Sequence, residues 1–201
     1  MRALLLWGLL WALEATSPEH ARGYELAKVR LEQTLVWVNN GSQSNATNAL
    51  EQAIVALYEY TPLMAGDDEV LENRDLALMM LVRVYLAQER PEIASAVMDH
   101  ALRNAGGRAL PAAMFGPRLE TLHDERRAEL EAGGEGSLRV SCAQPCRVFV
   151  DEREVISGRL SMLLGQHRVW VEAVSGEGEP LREVVSIDAP GQVIELRHDP
   201  R

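Results

Sequence analysis

The chain has 201 residues, 47% of them hydrophobic and 25% charged, which is the composition of one or two globular domains. Thirty acidic side chains outnumber twenty basic ones, and the formal charge of −10 argues against nucleic acid or an anionic membrane surface as the main partner, because both need a basic patch. Two cysteines exclude a disulfide-dense scaffold, and there is no run of ~18 apolar residues able to span a bilayer.

Residues 1–15 read MRALLLWGLLWALEA: Arg2, then an apolar run from Ala3 to Leu13. That run has the length of a signal-peptide core and is too short to cross a membrane. Leu13 and Ala15 stand at the spacing of a cleavage site, with Ala21 a second candidate. Residues 1–21 are therefore read as a signal peptide with its junction, and the protein as exported. No cysteine lies near the cut, which excludes a lipid anchor there. Export bears on Cys142 and Cys146, since two nearby cysteines in an oxidising compartment usually pair. Pro145 between them favours a turn. A redox or metal-binding pair is the alternative, but no second pair or nearby histidine completes a zinc site.

Residues 22–132 carry apolar residues at helical spacing and predict about five helices. The first spans 22–39, with Leu31, Leu35 and Val38 on one stripe, and Asn39-Asn40-Gly41-Ser42 stops it. The second spans 46–60 and ends before Pro62. The third follows Asp67 and Asp68, both good N-caps, and runs to about 88. Pro91 opens the fourth, which stops at Gly106-Gly107, and Pro117 opens the fifth, which ends at Gly133. Tyr24, Trp37 and Tyr85 are read as core. His123-Asp124-Glu125 is read as a solvated face of the fifth helix, and Arg126, Arg127 and Glu129 as its surface pairs.

The third and fourth helices resemble a tetratricopeptide-type repeat. Leu78, Leu81, Tyr85, Ala94, Met98 and Ala101 fall at positions 4, 7, 11, 20, 24 and 27 of the 34-residue pattern. Large residues on one helix facing alanines on the next allow close approach. Residues 22–60 would form a second, degenerate pair, with Ala49, Ala53 and Ala56 on one face. A generic helical bundle with alanine-rich interfaces is the alternative.

The periodicity changes at Gly133-Gly134-Glu135-Gly136-Ser137, read as a linker over 133–137. From 138 to 201 the pattern alternates. SLRVSC, RVFVD, HRVWVEAV, REVVSID and QVIEL predict five to seven short strands in a small antiparallel sandwich. SLRVSCAQPCRVFVDE, LLGQHRVWVEAV and VVSIDAPGQVIEL resemble the opening strands, the Gly-x-His strand and the closing hairpin of the PEGA domain family. Glu152 stands where that family usually has a glycine. The resemblance implies a transthyretin-like sandwich of an exported bacterial protein, acting as a non-catalytic adhesion or binding module. With the helices before it, the expected class is α+β.

The sequence holds no G-x-S-x-G, H-E-x-x-H, P-loop or Rossmann glycine pattern, and no enzyme, cofactor or metal site is predicted. Alternation places Phe149 and Trp170 on a sheet face shared with Arg147 and Arg168, away from the valines. These four are the candidate partner contacts; the alternative is that the aromatics pack against the helices. The expected role is a scaffold or binding protein of the Gram-negative cell envelope, periplasmic or surface-displayed, with a protein or envelope component as partner. A carbohydrate- or peptidoglycan-binding module and a purely structural protein are the competing readings.

Overall fold

The computed structural model describes residues 18–41, 45–156 and 158–199. The signal-peptide reading therefore lies almost wholly outside the described residues. Six α-helices come first: α1 (Pro18–Asn39), α2 (Ala46–Tyr58), α3 (Thr61–Met64), α4 (Asp68–Ala87), α5 (Pro91–Ala105) and α6 (Pro117–Gly133), with a 3-10 turn at Ala112–Phe115 before α6. Seven strands follow: β1 (Glu135–Cys142), β2 (Cys146–Val150), β3 (Arg153–Val155), β4 (Arg159–Leu163), β5 (Gly165–Ala173), β6 (Leu181–Ile187) and β7 (Val193–His198). The protein is α+β, as expected.

Local chemistry sets the helix ends. The Asp67 carboxylate accepts from the Val70 amide at 3.1 Å and caps α4. It also accepts from Lys28 at 2.8 Å and from the Tyr24 hydroxyl at 3.0 Å, which ties α1 to the start of α4. Pro91 and Pro117 sit in the first turns of α5 and α6. Gly106, left-handed at φ 56°, ends α5. The second predicted helix ends two residues sooner than expected, α2 stopping at Tyr58, and Pro62 lies in the first turn of the one-turn α3.

Leu78, Leu81, Tyr85, Ala94, Met98 and Ala101 are all buried between α4 and α5 and their neighbours. The α2 face that packs inward is Ala46, Leu50, Ala53, Ile54 and Leu57. Ala49 and Ala56 are only half buried. Trp37 is 38% exposed rather than core. His123 is buried, not solvated, because it lies beside the buried Leu119 face of α6. Its Asp124 neighbour is exposed. Arg126 pairs with Glu129 and reaches Asp99 on α5 through two 2.7 Å hydrogen bonds.

The strands form a three-stranded sheet ordered β4-β1-β7 and a four-stranded sheet ordered β3-β2-β5-β6. Leu138, Val148, Val150, Met162, Val169, Val171, Val185 and Ile187 fill the space between them. The valines of RVFVD and HRVWVEAV thus face inward, as their alternation dictates. The sandwich is not wholly antiparallel. β7 runs parallel to β1, pairing Ser137 with Val193 through to Cys142 with His198. Alternation reports which face a residue takes but not which strand lies beside it.

The glycine-rich stretch is not a linker. α6 runs through Gly133 and β1 begins at Glu135, leaving Gly134 at φ 81° as the joint. Gly136 belongs to β1 and is buried. A Cβ there would collide with Ile187 and lie 2.9 Å from the Gln192 carbonyl oxygen. Glycine here provides close packing rather than flexibility.

Candidate functional site at the junction of helices and sandwich

The outer face of the four-stranded sheet turns toward the helices. Phe149 and Trp170 lie directly opposite each other across β2 and β5. The Arg147 guanidinium sits 4.8 Å from the Phe149 ring centre, and that of Arg182 sits 4.0 Å from the Trp170 ring. Arg182 also reaches Glu59, just beyond α2, at 2.8 Å. Trp170 donates its indole N–H to Glu172 at 3.0 Å. Phe149 is fully buried and Trp170 is 7% exposed. These rings are therefore not solvent-facing contact anchors. Large aromatic surfaces gain more by leaving water, and here cations and neighbouring strands cover them. Arg147 lies over this face, bonded to Glu154 at 2.9 and 3.0 Å and to Glu172 at 3.4 Å.

Arg168, the fourth predicted contact, belongs to a network inside the molecule. Its Nε and Nη2 donate to the two oxygens of Glu152 at 2.6 and 2.7 Å. Glu152 Oε2 also accepts from Arg74 Nη1 at 2.9 Å. Arg74, from α4, is fully buried and donates from Nη2 to Asp75 at 2.8 Å. Asp75 in turn holds Arg108 at 2.6 Å. One carboxylate from the sandwich thus joins two guanidiniums from opposite sides of the junction. Charges taken from water are tolerated only when paired and hydrogen-bonded in this way.

The turn that presents Glu152 has unusual backbone. β2 and β3 are joined by the two residues Asp151 and Glu152, at φ 48° and 62°. A two-residue hairpin turn of this kind needs positive φ at both positions, which favours Asp-Gly or Asn-Gly. Aspartate tolerates it; glutamate does so at a cost. Asp151 is itself buried. Its carboxylate accepts from the Arg168 amide at 3.0 Å and lies 2.7 Å from His167 Nδ1, while His167 Nε2 lies 2.8 Å from the Leu163 carbonyl. Burial pushes the Asp151 carboxyl up, but the His167 and Arg168 hydrogen bonds and charges outweigh it and hold the group below the usual carboxylate range.

On the helical side, the Arg168 guanidinium stacks 3.8 Å from the Tyr58 ring centre. His100 Nε2 lies 3.2 Å from each of Arg168 Nη1, the Tyr58 hydroxyl and the Asn104 amide. Arginine can only donate, so His100 Nε2 accepts from it and the ring is neutral. Burial and the Arg168 charge lower the His100 pKa to about 3. Burial likewise raises that of Tyr58 to about 12. Sequence reasoning singled out Arg168 but missed Arg74, Asp75, His100 and Glu152. The one available signal was Glu152 itself, a glutamate in a turn that prefers glycine.

At the far end of the sandwich, Cys142 and Cys146 are disulfide-bonded, with Cα atoms 6.3 Å apart. The bond spans the exposed Ala143-Gln144-Pro145 loop and links β1 of one sheet to β2 of the other. A disulfide points to an oxidising, exported environment. Among the described residues, no helix is long and apolar enough to cross a membrane, and no cluster of His, Cys, Asp or Glu is arranged to hold a metal. Comparison of the chain with protein-family models, curated proteins and solved structures finds no match.

Proposed function

We propose that the protein is an exported, non-enzymatic scaffold or binding protein of the Gram-negative cell envelope. In this reading the tetratricopeptide-like helices hold a protein partner, and the PEGA-like sandwich contacts another envelope component. The observation that carries it is the Cys142–Cys146 disulfide, which needs an oxidising compartment to persist. The junction adds support. Arg74, Glu152 and Arg168 join helices and sandwich through buried ion pairs, so the two halves move together and can bridge two partners at a fixed distance. The carbohydrate-binding alternative needs an open aromatic platform, and the burial of Phe149 and Trp170 weighs against one on this face.

The test is the intact mass of the protein recovered from its own cells, with thiols alkylated before or after reduction. The expected result is loss of the residues preceding the helices, with cysteines that alkylate only after reduction. A full-length cytosolic chain with two free thiols would overturn the reading.

A further inference from the structure

Beside the ion network lies an open cleft of about 480 Å³, between the end of α5 and strands β2 to β4. Its size is that of a small-ligand site. Two guanidiniums line it, Arg103 from α5 and Arg153 from β3. The other arginines of the junction are ion-paired: Arg74, Arg108 and Arg168 with Asp75 or Glu152. Among the described residues Arg103 and Arg153 form no ion pair. Their hydrogen bonds go to backbone carbonyls, Arg103 to Leu164 at 3.5 Å and Arg153 to Asn104 at 3.1 Å. Arg103 Nε and Arg153 Nη2 are buried without a hydrogen-bond partner; Arg108 Nε is too, but its guanidinium is paired with Asp75. Buried donors in this state are rare and call for an acceptor. Burial also holds both guanidiniums below their usual pKa, and the more distant carboxylates, Asp99 and Asp151 for Arg103 and Asp75 and Asp151 for Arg153, offset it only in part.

The remaining lining narrows the acceptor. Leu160, Met162 and Val150 give apolar walls. Asp151, the carboxylate inside, is held by His167 and the Arg168 amide. Glu131 and Glu135 are exposed at the mouth, and Glu135 accepts from Ser161. Acidic groups at the entrance disfavour a dianion such as phosphate. A planar guanidinium fork matches a carboxylate. We propose that this cleft binds a small monocarboxylate with an apolar body, its carboxylate held between Arg103 and Arg153. The acid could be free or be the C-terminus of a peptide; the chemistry is the same. The cleft does not depend on the compartment in which the protein works.

The test uses the full chain with methyl-labelled methionine, reading the Met162 resonance. Hexanoate stands for a free acid and N-acetyl-leucine for a peptide terminus. At millimolar concentration at least one should move Met162 saturably, and the tighter of the two identifies the source. Hexanamide and inorganic phosphate should leave it in place. Arg103→Met and Arg153→Met should each weaken binding by about tenfold or more. Each should keep the far-UV spectrum and unfold no earlier than the parent, because each removes a half-buried cation whose burial costs more than its distant carboxylates return. The proposal fails if neither acid moves Met162, if hexanamide binds as well as hexanoate, or if both variants retain the parent's affinity. The parent titration alone can overturn it, whatever the variants' folding.

Discussion

Glu152→Gly sets two effects of known sign against each other. The turn position at φ 62° suits glycine, so the substitution relieves backbone strain of about 1 kcal/mol. It also deletes the carboxylate that pairs with Arg74 at 2.9 Å and with Arg168 at 2.6 and 2.7 Å. Arg74 keeps Asp75, but Arg168 loses its carboxylate partner. Breaking a buried pair by removing one side costs about 3–5 kcal/mol. The loss wins, and the variant should be about 2–4 kcal/mol less stable. Urea unfolding reads this, followed by helical circular dichroism and by Trp170 fluorescence with Trp7, Trp11 and Trp37 replaced by phenylalanine. Both probes should shift to lower urea together, because the glutamate joins both halves. Arg74→Met combined with Glu152→Gly should cost at least about 1 kcal/mol less than the sum of the two. If Glu152→Gly is neutral or stabilising, or only one probe moves, the network does not hold the halves together.

Three further outcomes follow from the junction and the disulfide. His100 is neutral in the fold, with its pKa lowered from 6.5 to about 3. Across that window the unfolded chain binds a proton that the folded one refuses, so stability falls as pH falls, by about 1.4 kcal/mol per pH unit. His100→Gln should remove this slope in pH-dependent urea titrations. Asp151, held below its usual range, adds its own loss only below about pH 4. Trp170→Ala should lower the unfolding free energy by about 3–5 kcal/mol, read by chemical denaturation. An unchanged midpoint would mean that the ring does not pack. Replacing Cys142 and Cys146 by alanine should cost about 2 kcal/mol, seen as a lower thermal midpoint matched by reduction of the parent.

The parts legible in the sequence were those where a side chain declares its surroundings. Aspartate capping placed the start of α4, and proline and glycine punctuation placed α5 and α6, to within a residue or two, because these residues act on the backbone directly. Alternation in β2 and β5 put the correct valines inside the sandwich. Glycine was ambiguous, since a missing side chain signals either freedom or crowding. At Gly136 it is crowding by Ile187. Charge misled for the opposite reason. Arg74 and Asp75 stand in a stretch of α4 that reads as polar surface, because a buried ion pair between distant segments leaves no local pattern. The partner-facing role foreseen for Phe149 and Trp170 failed at the same point. The alternation gave their face correctly and left packing against the helices as the alternative, but it did not show that arginines would cover the rings.

The parallel pairing of β1 with β7 also bears on how the sandwich is assembled. β1 is a central strand, and residues 56 positions apart meet across it, as Arg139 and Glu195 do. During synthesis β4 is available early, whereas β7 is the last of the described strands to appear. Until then one side of β1 presents open amides and carbonyls, the kind of edge onto which foreign strands add. A nascent or translocating chain is thus most vulnerable at this edge until β7 has paired, and a carrier that keeps it unpaired would protect this segment above all others.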